Sequence, residues 1–578
     1  MSLNSALQIG RSALTASQIG LSTAGNNIAN IATPGYSRQI VSLFPNWGDR
    51  STPGVQVGQG VGVRDIRRQI DSALQSRLWT GVSDEAAAVR QASITGGVEA
   101  TIGELSGHDL STEMGTFFAG WSEAANSSKS ASLVVQQGDK LASFIKRMRS
   151  DLGQHRVTID KQLGAQAEQA NTLLSRVADL NKQISASEID GSTANGLRDQ
   201  RDQTITDLSA IMDVTTVEQD GGSIDVLVGS TPVVLGGRSR GVELARRTEN
   251  GTTNVFFQVR ENKQQLDVKS GEAGALLDSR TKAVDGTIDQ LDTITSRMIF
   301  EINKLHSTGQ NVKNLSETTG TLGIPSGDRS LGLNDPENKT FGGLPFKAVN
   351  GGFLVTVKQS ATGATQTVRV DVDLDGTTNA GTPGTGDDTS PEKIRAALDA
   401  VPGIHAKFDA DGKLKIDADA GYEFNFSEDS SGVLAVMGVN AYFTGSSAVD
   451  VGVRADLKDN PSLLMTGRMM NGTFVQNGTS LAVVGMQDKS IAELGDRTLR
   501  GAWTDTVQAV GVAASSSKSN AEASGLVRAN LESQRAAVSG VSLDEESINL
   551  LNFQRQYQGA AKLISVADEL TQTLMQLV

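Results

Sequence analysis

A pair of apolar seams lies at the two extremes of this chain. Near the N-terminus Leu3, Leu7, Gly10, Leu14, Ser17, Leu21, Ala24 and Ile28 recur at alternating steps of four and three, with small residues interleaved. At the other end Leu550, Phe553, Tyr557, Ala560, Ile564, Ala567, Thr571, Leu574 and Val578 recur at the same steps. At about 1.5 Å per residue the two helices would be about 39 Å and about 43 Å long. Neither seam contains Pro. One amphipathic terminal helix is most simply explained by a nearby core that it caps. Two of matched period and length, at opposite ends, predict pairing with each other. Such a chain leaves along one helix, makes its excursions and returns along the second.

The N-terminal seam runs into "NNIANIATPGY", Asn26 to Tyr36. Thr33 precedes Pro34 and is pushed out of the α region, so the helix must stop there. "YSRQIVSLFP" and "GVQVGQGVGVRDI" then alternate like strands. A polar, Ala-rich helical region follows, from about Asp84 to Ile189, with a further stripe at Leu173, Val177, Leu180 and Ile184. Asp199 to Met212 reads as another helix. "SIDVLVG", "PVVLGG" and "NVFFQV" read as strands. Val284, Ile288, Leu291, Thr295, Met298, Ile302 and Leu305 restore the helical step. A Gly-, Asp- and Thr-rich β region follows, with one short helix at "SPEKIRAALDAV", and the rest is helical.

The expected fold class is therefore α+β and multidomain. Long terminal helices pair as a coiled-coil-like inner layer, around an α-helical middle domain and two inserted β-rich outer domains. The expected partition is 1–60 with 536–578 as the terminal assembly domain, and 61–213, 271–324 and 461–535 as a helical, rod-like domain. Residues 214–270 and 325–460 are the two β-rich insertions.

Little in the sequence supports chemistry. The net charge of −14 argues against nucleic acid and anionic membranes as partners. Without Cys there is no disulfide, thiolate nucleophile or Cys-ligated zinc. His108, His155, His306 and His405 are scattered, with no HExxH or HxH spacing. His306, in "NKLHSTG", suits a helix C-terminus. "GQGVG" at Gly58 is not GxGxxG, and no Walker A, GxSxG or SxxK stretch occurs. "DVDLDG" places Asp371, Asp373 and Asp375 like the start of an EF-hand loop, but the twelfth position is Thr382 rather than Glu. It reads as a hairpin end, with weak Ca2+ binding left open. "DADG", Asp409 to Gly412, reads as a turn between strands. No catalytic, cofactor or metal residue is expected. No run reaches the roughly 18 apolar residues of a membrane span, and the N-terminus lacks the basic start and continuous apolar core of a Sec signal.

The stretch Ala6 to Gln39 resembles the N-terminal signature of bacterial flagellar axial proteins, a family of rod, hook and hook-associated subunits. The shared core maps to Asn27, Ile28, Ala29, Asn30, Thr33, Pro34, Gly35 and Tyr36. The Ser37-Arg38-Gln39 continuation, "NGLRDQRDQTITDLSAIMDV" (Asn195 to Val214) and the tail from Ser539 to Leu570 are similar to the hook-associated branch. So are "GALLDSR" from Gly274 and the trio Asn303, His306 and Gly309. The likeness covers residues 1 to about 310 and about 465 to 578.

The resemblance implies a non-enzymatic structural subunit at the hook–filament junction, outside the cell. Its neighbours would be further copies of itself, the hook protein below and hook-associated protein 3 above. Export would run through the flagellar type III channel, with a cytosolic chaperone on the C-terminal region. The assembly interface would comprise Leu3, Leu7, Leu14, Leu21 and Ile28 on one helix, and Leu550, Phe553, Tyr557, Ile564 and Leu574 on the other. A hook or rod protein and a secreted coiled-coil adhesin are the alternatives; the second would need a Sec signal or an anchor.

Overall fold

In the computed structural model of the chain, the seams lie on helices Leu3–Ala29 and Leu543–Leu577. The structure describes residues 3–47, 58–103, 109–127, 130–249, 252–378, 380–470 and 472–577. His108, Val578 of the C-terminal seam and residues 54–57 of the second strand-like stretch lie outside them. The two helices run antiparallel, with Gly10 beside Ile564, Gly20 beside Phe553 and Asn27 at Glu546. They belong to a compact unit of Met1–Ile94, Thr158–Arg280 and Ser515–Val578; Thr95–Val157 and Thr281–Ala514 form a second.

In the first unit, strands Gln39–Trp47 and Gly58–Arg68 form an antiparallel hairpin with Gln39 opposite Arg68. The hairpin sits close on the N-terminal helix. The Val61 N–H donates to Ser12 Oγ at 3.3 Å. At Gly60, whose φ is +97°, a Cβ would stand 2.1 Å from that hydroxyl. Leu74, Leu78 and Val82 of helix Ser72–Ile102 pack on Leu531 of helix Leu499–Ser539.

Strands Val214–Glu218, Ile224–Val228, Thr231–Leu235 and Arg238–Ser239 form a four-stranded antiparallel meander. A hairpin of Val242–Glu249 and Thr252–Val259 follows it. Buried Asn181, on helix Ala131–Ser187, pins the meander. Its Nδ2 donates to the carbonyls of Ile224 and Gly236, each at 2.7 Å, and its Oδ1 accepts from the Ile224 N–H.

In the second unit, strand Gly351–Gln359 lies between Thr365–Val372 and Tyr422–Ser427. A second sheet orders Ile404–Phe408, Leu414–Ala418 and Glu317–Thr319. The turn at Asp409 to Gly412 joins two of these strands, and Gly412 takes φ +78°. Helix Pro391–Asp399 starts on Ser390, whose hydroxyl accepts from the Lys393 N–H at 3.2 Å. An aromatic core gathers Phe117 and Trp121 of helix Leu110–Asn126 with Tyr442 and Phe443.

His306 lies in the last turn of helix Gly286–Ser307, where the sequence placed it, but its ring is wholly buried beside Trp121 and Tyr442 and bonds other segments rather than the helix's own last carbonyls. With the proton assigned to Nδ1, that atom donates to the Asn440 carbonyl at 2.8 Å, and Nε2 accepts from the Met465 N–H at 3.1 Å. Asn303 works beside it: Oδ1 accepts from the N–H groups of Tyr442 and Phe443, and Nδ2 donates to the Phe443 carbonyl. At Gly309 a Cβ would stand 2.6 Å from that of Met465. The trio therefore holds residues 440–443 and 465 in place.

Burial, then the charge of Arg454, lowers the His306 pKa to about 3, against the opposing pull of the Asn440 carbonyl. The unfolded chain thus takes up a proton near pH 6.5 that the folded chain refuses until about pH 3. This contribution to stability is complete above about pH 6.5 and declines as the pH falls, by up to about 1.4 kcal/mol per pH unit. Melting curves of the wild type and His306→Gln should show the shallower loss in the variant between about pH 6 and pH 4. Equal slopes would contradict this reading.

Candidate assembly interface

The helix pair meets through small residues. Gly10, Ala16, Ser17, Gly20, Thr23, Ala24 and Asn27 are the buried positions of the N-terminal helix. A Cβ on Gly10 would stand 2.6 Å from Ile564 Cγ1, and one on Gly20 would stand 2.5 Å from the Phe553 ring. The absence of both Cβ atoms lets the larger side chains of the opposite helix enter. The small row that the sequence interleaves with the leucines thus forms the centre of the contact. Leu3, Leu7, Leu14, Leu21 and Ile28 are half-buried on its flanks.

On the C-terminal helix Leu550, Phe553 and Ile564 are half-buried, and Ala560 and Ala567 are buried. Tyr557 and Leu574 are exposed. Leu574 continues a different row. Leu563 (40%), Val566 (41%), Leu570 (52%) and Leu574 (54%) follow one another at steps of three and four and remain open to solvent. Ile548 and Leu551 are exposed in the first half of the same helix.

The Asn-Ile-Ala-Asn…Thr-Pro-Gly-Tyr stretch forms a hydrogen-bonded knot where the two helices meet the hairpin. Asn27 Oδ1 accepts from the Tyr36 hydroxyl at 2.8 Å and the Gln39 N–H at 3.0 Å. Its Nδ2 donates to the Gln39 carbonyl at 2.9 Å and to Glu546 Oε2 at 3.1 Å. Both donors and both acceptor sites of the amide are used. Asn30 turns back to Asn26, and the N–H groups of Thr33 and Tyr36 close the turn on the carbonyls of Asn30 and Thr33. Gly35 takes φ +80°, while Thr33 and Pro34 are exposed.

The charges around the knot come from three distant stretches. Arg38 pairs with Glu545 and Glu546, each at 2.7 Å. Its N–H donates to the Ser539 carbonyl. On helix Asn195–Ile211, Asp199 and Asp202 receive Arg68 at 2.9 and 2.7 Å. Asp199 also accepts from the Ser37 N–H at 3.3 Å. Burial, then the charges of Asp199 and Glu546, pushes the Tyr36 phenol up to about 12. Burial also raises Asp199, despite Arg68. Tyr36 therefore serves as a neutral donor to Asn27.

Of the motif residues predicted from sequence, Asn27, Asn30, Thr33, Gly35 and Tyr36 come together here, and Pro34 faces solvent. Arg38, Arg68, Asp199 and Glu546 were not singled out individually. The available signal was that "YSRQ", "LRDQRD" and "LDEES" are charged stretches at the edges of predicted helices and strands.

Three family models match. That of the flagellar hook-associated protein FlgK helical domain covers residues 95–321. The flagella basal body rod protein model covers 7–36, and the flagellar basal body rod FlgEFG protein C-terminal model covers 532–577. Flagellar hook-associated protein 1 of Escherichia coli K12 is 23% identical over 99% of this chain and 100% of its own length. The protein of the same name from Bacillus subtilis is 25% identical over 98% of this chain and 96% of its own. A solved structure of the flagellar hook junction protein FlgK from Burkholderia pseudomallei aligns with 80% of this chain and 100% of that one, at a TM-score of 0.49 and 16% identity.

Proposed function

The chain belongs to the flagellar hook-associated protein 1 family, whose members are structural rather than enzymatic, and from that premise we propose that its terminal helices build the junction between hook and filament by self-assembly. One observation carries the proposal beyond the family. The row Leu563, Val566, Leu570 and Leu574 lies open on a helix whose other face is already closed by the N-terminal helix. Covering apolar surface is favourable by about 25 cal/mol per Å². A row repeated on every subunit and met by a different surface of the next copy generates rings or helical arrays.

In this reading 1–60 and 536–578 are the assembly domain. Residues 61–213, 271–324 and 461–535 form the helical body, with 214–270 and 325–460 as insertions. Hook protein adjoins the subunit on one side and hook-associated protein 3 on the other. Before export through the flagellar type III channel, a cytosolic chaperone shields the open row. Among the described residues no helix is long and apolar enough to cross a membrane.

Electron microscopy of cells lacking the gene tests the junction role. Hooks without filaments, restored by supplying this chain, are expected. Normal filaments in its absence would reject it.

A further inference from the structure

We propose that Asp373, Asp375 and Asp388 form a Ca2+ site, in the loop between strand Thr365–Val372 and helix Pro391–Asp399. One carboxylate oxygen from each lies within 4.8 Å of the others. Asp373 and Asp375 are exposed, whereas Asp388 is 2% exposed. Asn334 Nδ2 donates to Asp388 Oδ2 at 2.8 Å. Among the described residues the other oxygen of that buried carboxylate, Oδ1, has no hydrogen-bond partner. A buried charged oxygen without a donor is costly, and a cation satisfies it directly.

The nearby protein cations are engaged elsewhere. Arg369 pairs with Asp371 at 2.6 Å. Lys393 donates to the backbone carbonyls of Asp387 and Asp388, at 2.6 and 3.2 Å. Among the described residues none of the three carboxylates has a Lys or Arg partner within ion-pair distance. The sequence aligns Asp371, Asp373 and Asp375; the fold exchanges the first of these for Asp388.

The donor set selects the ion. Three carboxylates with no nitrogen or sulfur suit a hard cation. The three oxygens lie close enough together to share one ion. Mg2+ demands near-ideal octahedral geometry and gives up its water reluctantly, whereas Ca2+ accepts an irregular, partly hydrated shell. Two ligands on an exposed loop also tolerate the variable geometry of Ca2+, with water completing the shell. With three carboxylates the affinity belongs with the weaker Ca2+ modules, at a Kd of about 10⁻⁴–10⁻³ M. Binding would fasten the loop to the buried Asp388 beside the start of the helix.

Titration of CaCl2 into the full-length chain, stripped with EDTA and followed by calorimetry and melting temperature, tests the site. One saturable site and a rise in melting temperature are expected, with MgCl2 weaker. Asp375→Asn, on the exposed loop, should weaken Ca2+ on the order of 10–100-fold without disturbing the fold. Asp388→Asn should abolish binding, and Asp371→Asn should leave it unchanged. Absence of saturable Ca2+ binding, an equal response to Mg2+, or wild-type affinity in Asp375→Asn would each overturn the proposal.

Discussion

Replacing Asn27 with Ala should loosen both ends of the chain at once. The amide holds the Tyr36 hydroxyl, both backbone groups of Gln39 and the Glu546 carboxylate. Its loss leaves these groups short of a partner around a position that is 1% exposed. Each buried group left unsatisfied costs about 1–3 kcal/mol, so the total reaches several kcal/mol. The cost falls on the joint between the terminal helices and the hairpin. Amide exchange in residues 30–39 and 543–550 should therefore accelerate sharply, while the Thr281–Ala514 segment keeps its protection. Asn27→Asp should do no better, because it loses both donors and sets a carboxylate against Glu546. A change below about 0.5 kcal/mol for Asn27→Ala, typical of a surface position, would show that the knot is incidental.

Placing Asp at both Leu570 and Leu574 should block assembly and leave the free subunit nearly untouched. Both side chains are more than half exposed in the single chain, at 52% and 54%. Surface substitutions of this kind usually change stability by about 0.5 kcal/mol or less. In an assembly that covers the row, each subunit would bury two carboxylates without partners, at a cost of several kcal/mol apiece. The doubly substituted protein should melt like the wild type, be exported and fail to stay on the hook. Leu574→Met keeps the apolar volume and should assemble. A strong fall in the melting temperature of the free Asp variant would instead place these residues in an ordinary core.

Pairing of the ends was legible because the 3–4 step appears at both extremes of the chain. The seam read from sequence already carried Gly10, Ser17 and Ala24 beside the leucines. How closely the helices approach was not legible: in the structure these small residues, joined by Gly20, are the buried ones, and Leu7, Leu14 and Leu21 are half-buried. Leu574 was placed on the inner seam because it keeps the step, although in the fold it continues the open row.

The knot shows a second limit. Its motif residues could be read from sequence, but Arg38 and Glu546 are 508 positions apart, and no local rule joins them. His306 was assigned from a helix-end preference that is local in origin. Its burial comes from chain that returns more than a hundred residues later, since Asn440 is 134 positions away. The same limit applies to the proposed Ca2+ site, where local spacing aligns Asp371 with Asp373 and Asp375 while the chain brings Asp388 to them.

On the proposed assembly, the open row of the C-terminal helix is covered only in the assembled junction. The chain contains no Cys, so Leu570→Cys gives a single thiol on that row. Maleimide labelling of this variant should be as fast in the purified subunit as for an unhindered thiol. In isolated hook–filament complexes carrying the same variant it should be strongly suppressed. Equal labelling in the two states would mean that the row stays exposed after assembly and is not the contact between subunits.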